Sequence, residues 1–294
     1  MMRKTIVITG CSSGFGRVTA FELARQGWLV FATLRKESDS ESLLQEAELQ
    51  HCRPNIVPLL CDITQHEQVA QLVQNVESLL RAEQSTHQDQ FPRLDALLNN
   101  AGTAYAGPIE LVPLDDLRSQ FEINVIAHMD VTKVLLPLLK TAHGTAIYIS
   151  SVSGKISMPV TGLYSASKYA LEALCDALRI ELAPFGVHIV LIEPASSPTK
   201  IWQTSLQRSL DSLGDAKENS SYRRLIKVAE KTGLQSSKKG FPAQKVADTV
   251  VRILNSSRPR ARYGVPSSAT AVMLLRRFMP DRLWDCMTRL ILHW

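Results

Sequence analysis

Thr9-Gly10-Cys11-Ser12-Ser13-Gly14-Phe15-Gly16 is the stretch that decides the fold. It follows a short β-type run, 4–9 (KTIVIT), and opens a helical pattern over 15–27. Gly10 permits a sharp strand-to-helix turn, Gly14 lets the main chain approach a pyrophosphate, and Gly16 lets helix and strand pack closely. The free N–H groups at the start of the helix would then face the phosphates. A lone glycine-rich stretch can be a plain tight turn. Its position directly behind a first strand is what makes this one informative.

Outward from it, short apolar runs alternate with helical patterns. Strands are predicted at 28–34, 56–60, 94–98, 145–150 and 187–192, and helices near 15–27, 40–50, 66–83, 115–141 and 164–184. Most of the strand runs are continuously apolar, as strands buried on both faces of a parallel sheet require. Strand–helix alternation implies βαβ units and an α/β, doubly wound parallel sheet with helices on both faces. No solenoid-type repeat is present and no Pro/Gly linker divides the chain, so a single domain is expected over 1–268. Beyond Pro194 the composition turns to Ser, Lys and Gln, and 195–240 reads as a helical lid excursion with a helix pattern around 201–231. A return helix at 242–254 and a last short strand at 261–265 follow. An apolar, basic tail, 269–294, is interrupted by Pro280.

The chain has 294 residues, of which 45% are hydrophobic and 21% charged, values that exclude a disordered or collagen-like polymer. Five scattered cysteines (Cys11, Cys52, Cys61, Cys175, Cys286) form no CxxC pair, which suggests a reduced setting and no metal cluster. The apolar run at the start is too short for a signal-peptide core, and no run reaches the roughly 18 apolar residues of a membrane span. A cytoplasmic location is expected. Residues 252–294 hold eight arginines against Asp281 and Asp285, whereas the rest of the chain is near neutral. A basic tail on a neutral body is not a nucleic-acid-binding footprint, so no nucleic-acid partner is expected.

The glycine spacing is GxxxGxG, and further motifs follow it in order. These are Asp62 after the third strand, Asn99-Asn100-Ala101-Gly102 at the end of the fourth, Asn124, Ser151, Tyr164-Ser-Ala-Ser-Lys168, and Pro194 with Thr199. Together, over about residues 4–200, they resemble the short-chain dehydrogenase/reductase family in its shorter branch. Within that family the TGCSSGFG run and the YSASKYALEAL block are similar to hydroxysteroid and retinol dehydrogenases. The resemblance implies a Rossmann-type oxidoreductase with a catalytic tetrad of Asn124, Ser151, Tyr164 and Lys168. It also implies cofactor contacts at Gly10, Ser12, Ser13, Gly14, Phe15, Gly16, Arg35, Asp62, Ile63, Asn99, Ala101, Gly102, Tyr164, Lys168, Pro194 and Thr199. Asp62 would touch the adenine, and Pro194 and Thr199 would lie beside the nicotinamide. A homodimer or homotetramer is implied as well.

The residues themselves supply the chemistry. Spacing of i, i+4 puts Tyr164 and Lys168 on one helix face. A phenol of pKa near 10 is a poor proton carrier at neutral pH, and a neighbouring ammonium would lower that value. Tyr164 is therefore the candidate general acid/base. Ser151, preferred over its neighbour Ser150, would donate to the substrate oxygen as charge develops. Asn124 is a poor interior helix residue that could hold a water in a relay to Lys168. Taken singly, each has an ordinary reading: a solvated helix face, a turn, a kink.

The acidic residue that would grip a ribose 2′-hydroxyl should stand at the end of the second strand, where this chain has Leu34-Arg35. A guanidinium suits a 2′-phosphate, so NADP(H) is preferred to NAD(H), with Glu37 and Asp39 as counter-evidence. Ala195 replaces the family's glycine after Pro194 and would be strained if φ there is positive. Substrate walls are expected at 152–163, Ala104-Tyr105, Trp202, Leu206, Leu210 and Tyr222. These suit a small hydrophobic alcohol or ketone of steroid, retinoid or lipid type. The tail could lie on a membrane surface or pack as an ordinary helix. The rival functional class is a non-catalytic dinucleotide-binding regulator on the same fold.

Overall fold

The computed structural model describes residues 3–84, 91–198, 208–209, 211–238 and 240–294. Its seven strands are β1 (Thr5–Ile8), β2 (Leu29–Leu34), β3 (Ile56–Leu60), β4 (Ala96–Asn99), β5 (Thr145–Ile149), β6 (His188–Pro194) and β7 (Arg262–Val265). They form one sheet in the order β3-β2-β1-β4-β5-β6-β7, and every neighbouring pair is parallel. The order reverses between β1 and β4, so the crevice beyond their carboxyl ends is where a ligand is received in such a sheet.

The inner strands β1, β2 and β4 have no polar face, because their residues meet a helix layer on either side. Ile6 and Ile8 of β1 pack with Phe21, Leu23, Leu43, Val246 and Val250, from helices α1 (Gly14–Arg25), α2 (Glu37–Leu49) and a return helix (Gln244–Leu254). Val7, between them, packs on the opposite side with Val69, Leu72, Val131, Leu135 and Leu171, from α3 (His66–Gln84), α5 (Ala127–Ala142) and α6 (Gly162–Glu181). The doubly wound, single-domain architecture is as the alternation predicts.

Two departures matter for the site. The helix predicted over 115–141 is broken into α4 (Leu114–Phe121), a π-helical turn (Glu122–Ile126) and α5. Such turns insert one residue without ending a helix, and they concentrate at functional positions. Glu37 and Asp39, weighed as rivals to Arg35, fall in the first turn of α2, where carboxylates favour the helix dipole.

The excursion after β6 contains a short helix (Ala216–Asn219) and a longer one (Arg223–Lys238). It arches over the segment after β4: Ala106 N donates to Ser209 Oγ (2.9 Å), Ser212 Oγ to Asp116 Oδ2 (2.6 Å), and Tyr222 OH to Glu110 Oε2 (2.7 Å). Its two ends are stitched together. Phe241 N donates to Ser196 O (3.3 Å) and Ser197 Oγ to Phe241 O (2.8 Å). A Cβ on Gly240 would come within 2.5 Å of Ser196 O. Thr199, Trp202, Leu206 and Leu210, assigned to cofactor and substrate walls, lie outside the described residues.

The tail forms two helices, Ser268–Phe278 and Asp281–Leu292, broken at Pro280 as the sequence predicts. Among the described residues no helix is long and apolar enough to cross a membrane.

Candidate active site

The glycine turn is built as its composition demands. Gly10 and Gly14 have φ of +74° and +63°, in the left-handed region that a side chain disfavours. A Cβ on Gly10 would sit 2.9 Å from Ala101 Cα, and one on Gly16 would sit 2.4 Å from Asn100 Nδ2. Asn100 is itself fixed by donating to Thr9 O (2.8 Å) and Gly10 O (3.1 Å), while Thr9 Oγ1 accepts from the N–H groups of Asn100 (2.9 Å) and Ala101 (3.0 Å). The β1 turn and the β4 terminus are therefore one rigid unit.

Ser13, the residue before α1, is extended and makes no side-chain cap, and the first turn of α1 has no carboxylate. The N–H groups there are left for another acceptor, and an anion is the natural one. The turn thus fits the pyrophosphate of a dinucleotide. Ser12 is exposed beside it. Arg35 is exposed one residue past β2, and Asp62 caps its own turn by accepting from Thr64 N (3.0 Å) and Thr64 Oγ1 (2.8 Å).

Several residues expected to touch the cofactor have side chains engaged in the framework. Phe15 stacks on Phe241, with centroids 6.1 Å apart. Ile63 is buried in the core beneath the sheet. Asn99 is fully buried; its Nδ2 donates to Thr132 Oγ1 (3.0 Å) and its Oδ1 faces His128 Nδ1 (3.3 Å). Asn99 and Ile63 serve the framework with their side chains, and Phe15 is partly buried against Phe241. Gly102 lies against Asn124, as a Cβ there would be 3.4 Å from Asn124 Oδ1.

Ser151, Tyr164 and Lys168 come together. Tyr164 and Lys168 share the inward face of α6, and both are almost fully buried. Ser151 follows β5 and caps a short 3-10 turn (Val152–Gly154) by accepting from Ser153 N (3.1 Å), which fixes its oxygen. It hydrogen-bonds the Tyr164 phenol. Ser150 instead has a buried hydroxyl with no hydrogen-bond partner among the described residues, so Ser151 is the serine aligned with the tyrosine.

The electrostatics differ from the sequence expectation in one respect. Lys168 Nζ donates to Ile149 O (2.8 Å) and stands 5.7 Å from the centre of the Tyr164 ring. Burial pushes Tyr164 up to about 12, against the smaller, opposite effect of its Ser151 bond. Burial also lowers Lys168 to about 8, with the Glu172 carboxylate pulling the other way. The ammonium alone therefore does not bring the phenol toward neutral pH.

Asn124 sits in the π-helical turn, fully buried. Its Oδ1 accepts from Thr103 N (2.9 Å), and its Nδ2 donates to Thr103 O (2.9 Å) and Ser167 Oγ (3.2 Å). Its side chain braces the segment after Gly102. Gln120, one turn earlier, repeats the pattern by donating to Thr103 O (3.0 Å) and accepting from Tyr105 N (2.7 Å). Gln120, Thr103 and Ser167 were not singled out from sequence. The available signal was that Gln120 precedes Asn124 by four residues on one helix face.

Ala195 is not among the residues of positive φ, and its N–H donates to Val265 O (2.8 Å), extending the β6–β7 ladder. The conditional strain at this position does not arise. The strained backbone lies instead at Val160 (φ +71°), in the 152–163 wall, whose carbonyl accepts from Gly107 N (2.7 Å).

A glycine turn at the first βα corner, on a sheet ordered in this way and beside a buried Tyr–Lys pair, defines a nicotinamide-dependent oxidoreductase of the Rossmann class. Residues 4–209 match the short chain dehydrogenase family, and the chain belongs to it. It is similar to the NADPH-dependent 3-dehydrocapnine reductase of Ornithobacterium rhinotracheale (33% identity, covering 95% of this chain and 94% of the relative). It is also similar to human retinol dehydrogenase 16 (31% identity, covering 99% and 88%). A short-chain dehydrogenase from Streptomyces avermitilis superposes with a TM-score of 0.74 over 98% of this chain and 96% of that one at 24% identity, a likeness of fold. The chain is thus an NAD(P)-dependent dehydrogenase or reductase with a small-molecule substrate.

Proposed function

We propose that the protein transfers hydride between NADP(H) and a hydrophobic secondary alcohol or the corresponding ketone, of retinoid, steroid or other lipid type, with Tyr164 moving the proton. The observation that carries this reading is the buried trio of Ser151, Tyr164 and Lys168 at the mouth of the glycine crevice. The bound nicotinamide would supply or accept the hydride. Tyr164 would give its proton to the carbonyl oxygen as that oxygen gains negative charge, while Ser151 Oγ donates a hydrogen bond to the same oxygen. A phenol held at about 12 keeps its proton at neutral pH, which suits carbonyl reduction. Lys168 would hold the nicotinamide ribose.

NADP(H) is preferred because Arg35, not a carboxylate, stands at the end of β2. The NADPH-dependent relative supports that choice, and the relative named a retinol dehydrogenase supports an apolar substrate. The apolar wall supports it as well: Tyr105 and Ile156 are buried beside the site segments.

A membrane surface is a proposed partner of the tail. Along Asp281–Leu292, Leu283, Met287, Leu290 and Ile291 form a solvent-exposed stripe at helical spacing, while Thr288 and Leu292 face the body. Phe278 and Leu275 on the preceding helix are also exposed, and Arg277, Arg282 and Arg289 are exposed on the same two helices. Apolar residues with cationic neighbours suit an anionic lipid surface.

The test is Tyr164→Phe. It should lose at least about 10²-fold in kcat toward a panel of hydrophobic ketones and alcohols, with NADPH still bound. Near-wild-type turnover removes Tyr164 from its role. Cofactor binding without turnover by the wild type favours the regulatory reading.

A further inference from the structure

One helical turn beyond Lys168 on the inward face of α6 stands Glu172, a carboxylate only 3% exposed. Its Oε2 meets Lys155 Nζ at 3.0 Å and Arg262 Nε at 3.1 Å, while its Oε1 has no hydrogen-bond partner among the described residues. Arg262, the first residue of β7, also bonds both oxygens of Asp176 at 2.7 Å and approaches Glu193 Oε1 at 3.5 Å. Glu193 is likewise 3% exposed and immediately precedes Pro194. Lys155 follows the turn capped by Ser151. That turn is pressed onto α6, as a Cβ on Gly154 would lie 2.9 Å from Ser150 Oγ and 3.0 Å from Glu172 Cγ. The three segments that carry the site therefore converge on one buried carboxylate.

We propose that Glu172 is a positioning residue of the reaction: it gathers Lys155 and Arg262 so that the Ser151 turn, the Tyr164–Lys168 helix and the Pro194 strand end keep one arrangement. A cluster kept only for stability would be an odd choice here. Buried ion pairs commonly contribute no more than well-packed apolar side chains of the same volume, and Glu172 and Glu193 each keep an oxygen without a hydrogen bond among the described residues. The groups facing Glu172 are Lys168, Cys175 and Asp176 from α6, Lys155 from the turn, Glu193 from β6 and Arg262 from β7. Glu193 is pushed up to about 7 by burial and by Glu172. Its charge favours protonated Lys168 against the burial that lowers it.

The inference rests on the catalytic role given to Tyr164 and Lys168. Its test uses the full chain with Glu172→Gln, which keeps the shape and removes the charge. At a temperature well below unfolding, kcat should fall by at least about 10-fold, as misplaced reacting groups do. NADPH binding, followed by fluorescence, should stay near wild type. In the cofactor-free protein, the NMR titration midpoint of the Lys168 side chain should move to lower pH. Wild-type kcat overturns the proposal whatever the Lys168 midpoint does, and so does a lowered Tm as the sole change. If Glu172→Gln does not fold, Glu172→Asp takes its place. It keeps the charge and shortens the reach, so it should lower kcat with the Lys168 midpoint unmoved, and wild-type kcat again overturns the proposal. Failure of the underlying reading looks different, because Tyr164→Phe would then stay active.

Discussion

Arg35 and Gly16 show what one residue decides in this protein. Arg35 is an exposed guanidinium at the rim of the crevice, so its removal should leave the fold intact. Arg35→Ala should raise the Kd for NADPH by about 10-fold or more, as expected for one charge-assisted contact, and change that for NADH little. Equal losses for the two cofactors, measured by fluorescence titration, would reverse the assignment. Gly16 has no such latitude, since any Cβ would collide with Asn100 Nδ2 and Gly10 O. Gly16→Ala should cost about 1–3 kcal/mol in urea unfolding and abolish dinucleotide binding, and a stable variant that still binds would show that the turn can relax. Both residues were legible from sequence because their meaning is local. The height of the Tyr164 pKa was not legible, because it depends on how much of the chain buries the phenol.

At the scale of elements, strand positions and most helices were readable from the alternation of short apolar runs with helical periodicity. The π-helical turn at Glu122–Ile126 was not. One inserted residue shifts the periodicity too little to register in a run nearly thirty residues long, and the sequence left it as a single helix containing an awkward asparagine. The turn sets Asn124, one helical turn after Gln120, against the Thr103 main chain. Gln120→Ala would strip the partner from the buried Tyr105 N–H, while Thr103 C=O keeps its bond from Asn124 Nδ2. It should destabilise the protein by about 1–3 kcal/mol, the cost of one buried orphaned group. A loss under half a kcal/mol would mean the segment after Gly102 is held by other contacts. Arg262 was likewise invisible as a partner of Glu172, because the two are brought together only by the crossover from β6 through the excursion to β7.

For the whole molecule, two buried groups give stability opposite dependences on pH. His128 is held near 3 by burial and by the nearby Lys168 charge. Below about 6.5 the unfolded chain takes a proton that the folded one refuses, so stability falls as pH drops, by up to about 1.4 kcal/mol per unit. Glu193, held near 7, does the reverse. Between about 7 and 4.5 the folded chain keeps the extra proton, and stability rises as pH drops. The two partly cancel in the wild type. His128→Asn should therefore lose less Tm than the wild type between pH 6.5 and 5, or gain some. Parallel Tm curves would mean His128 protonates in place.

The tail is a second property of the whole. Leu290→Glu with Leu283→Glu should release the protein from anionic vesicles in co-sedimentation, and unchanged partitioning would count against the lipid surface. Point changes serve better than deletion, because Trp294 stacks on Tyr222 of the excursion, with centroids 5.9 Å apart.

The stitching of Ser196 and Ser197 to Phe241 carries its own consequence. A long insertion whose two ends are tied at one spot leaves and rejoins the sheet almost as a single point. Changes of length or composition between those two anchors therefore need not part β6 from the return helix.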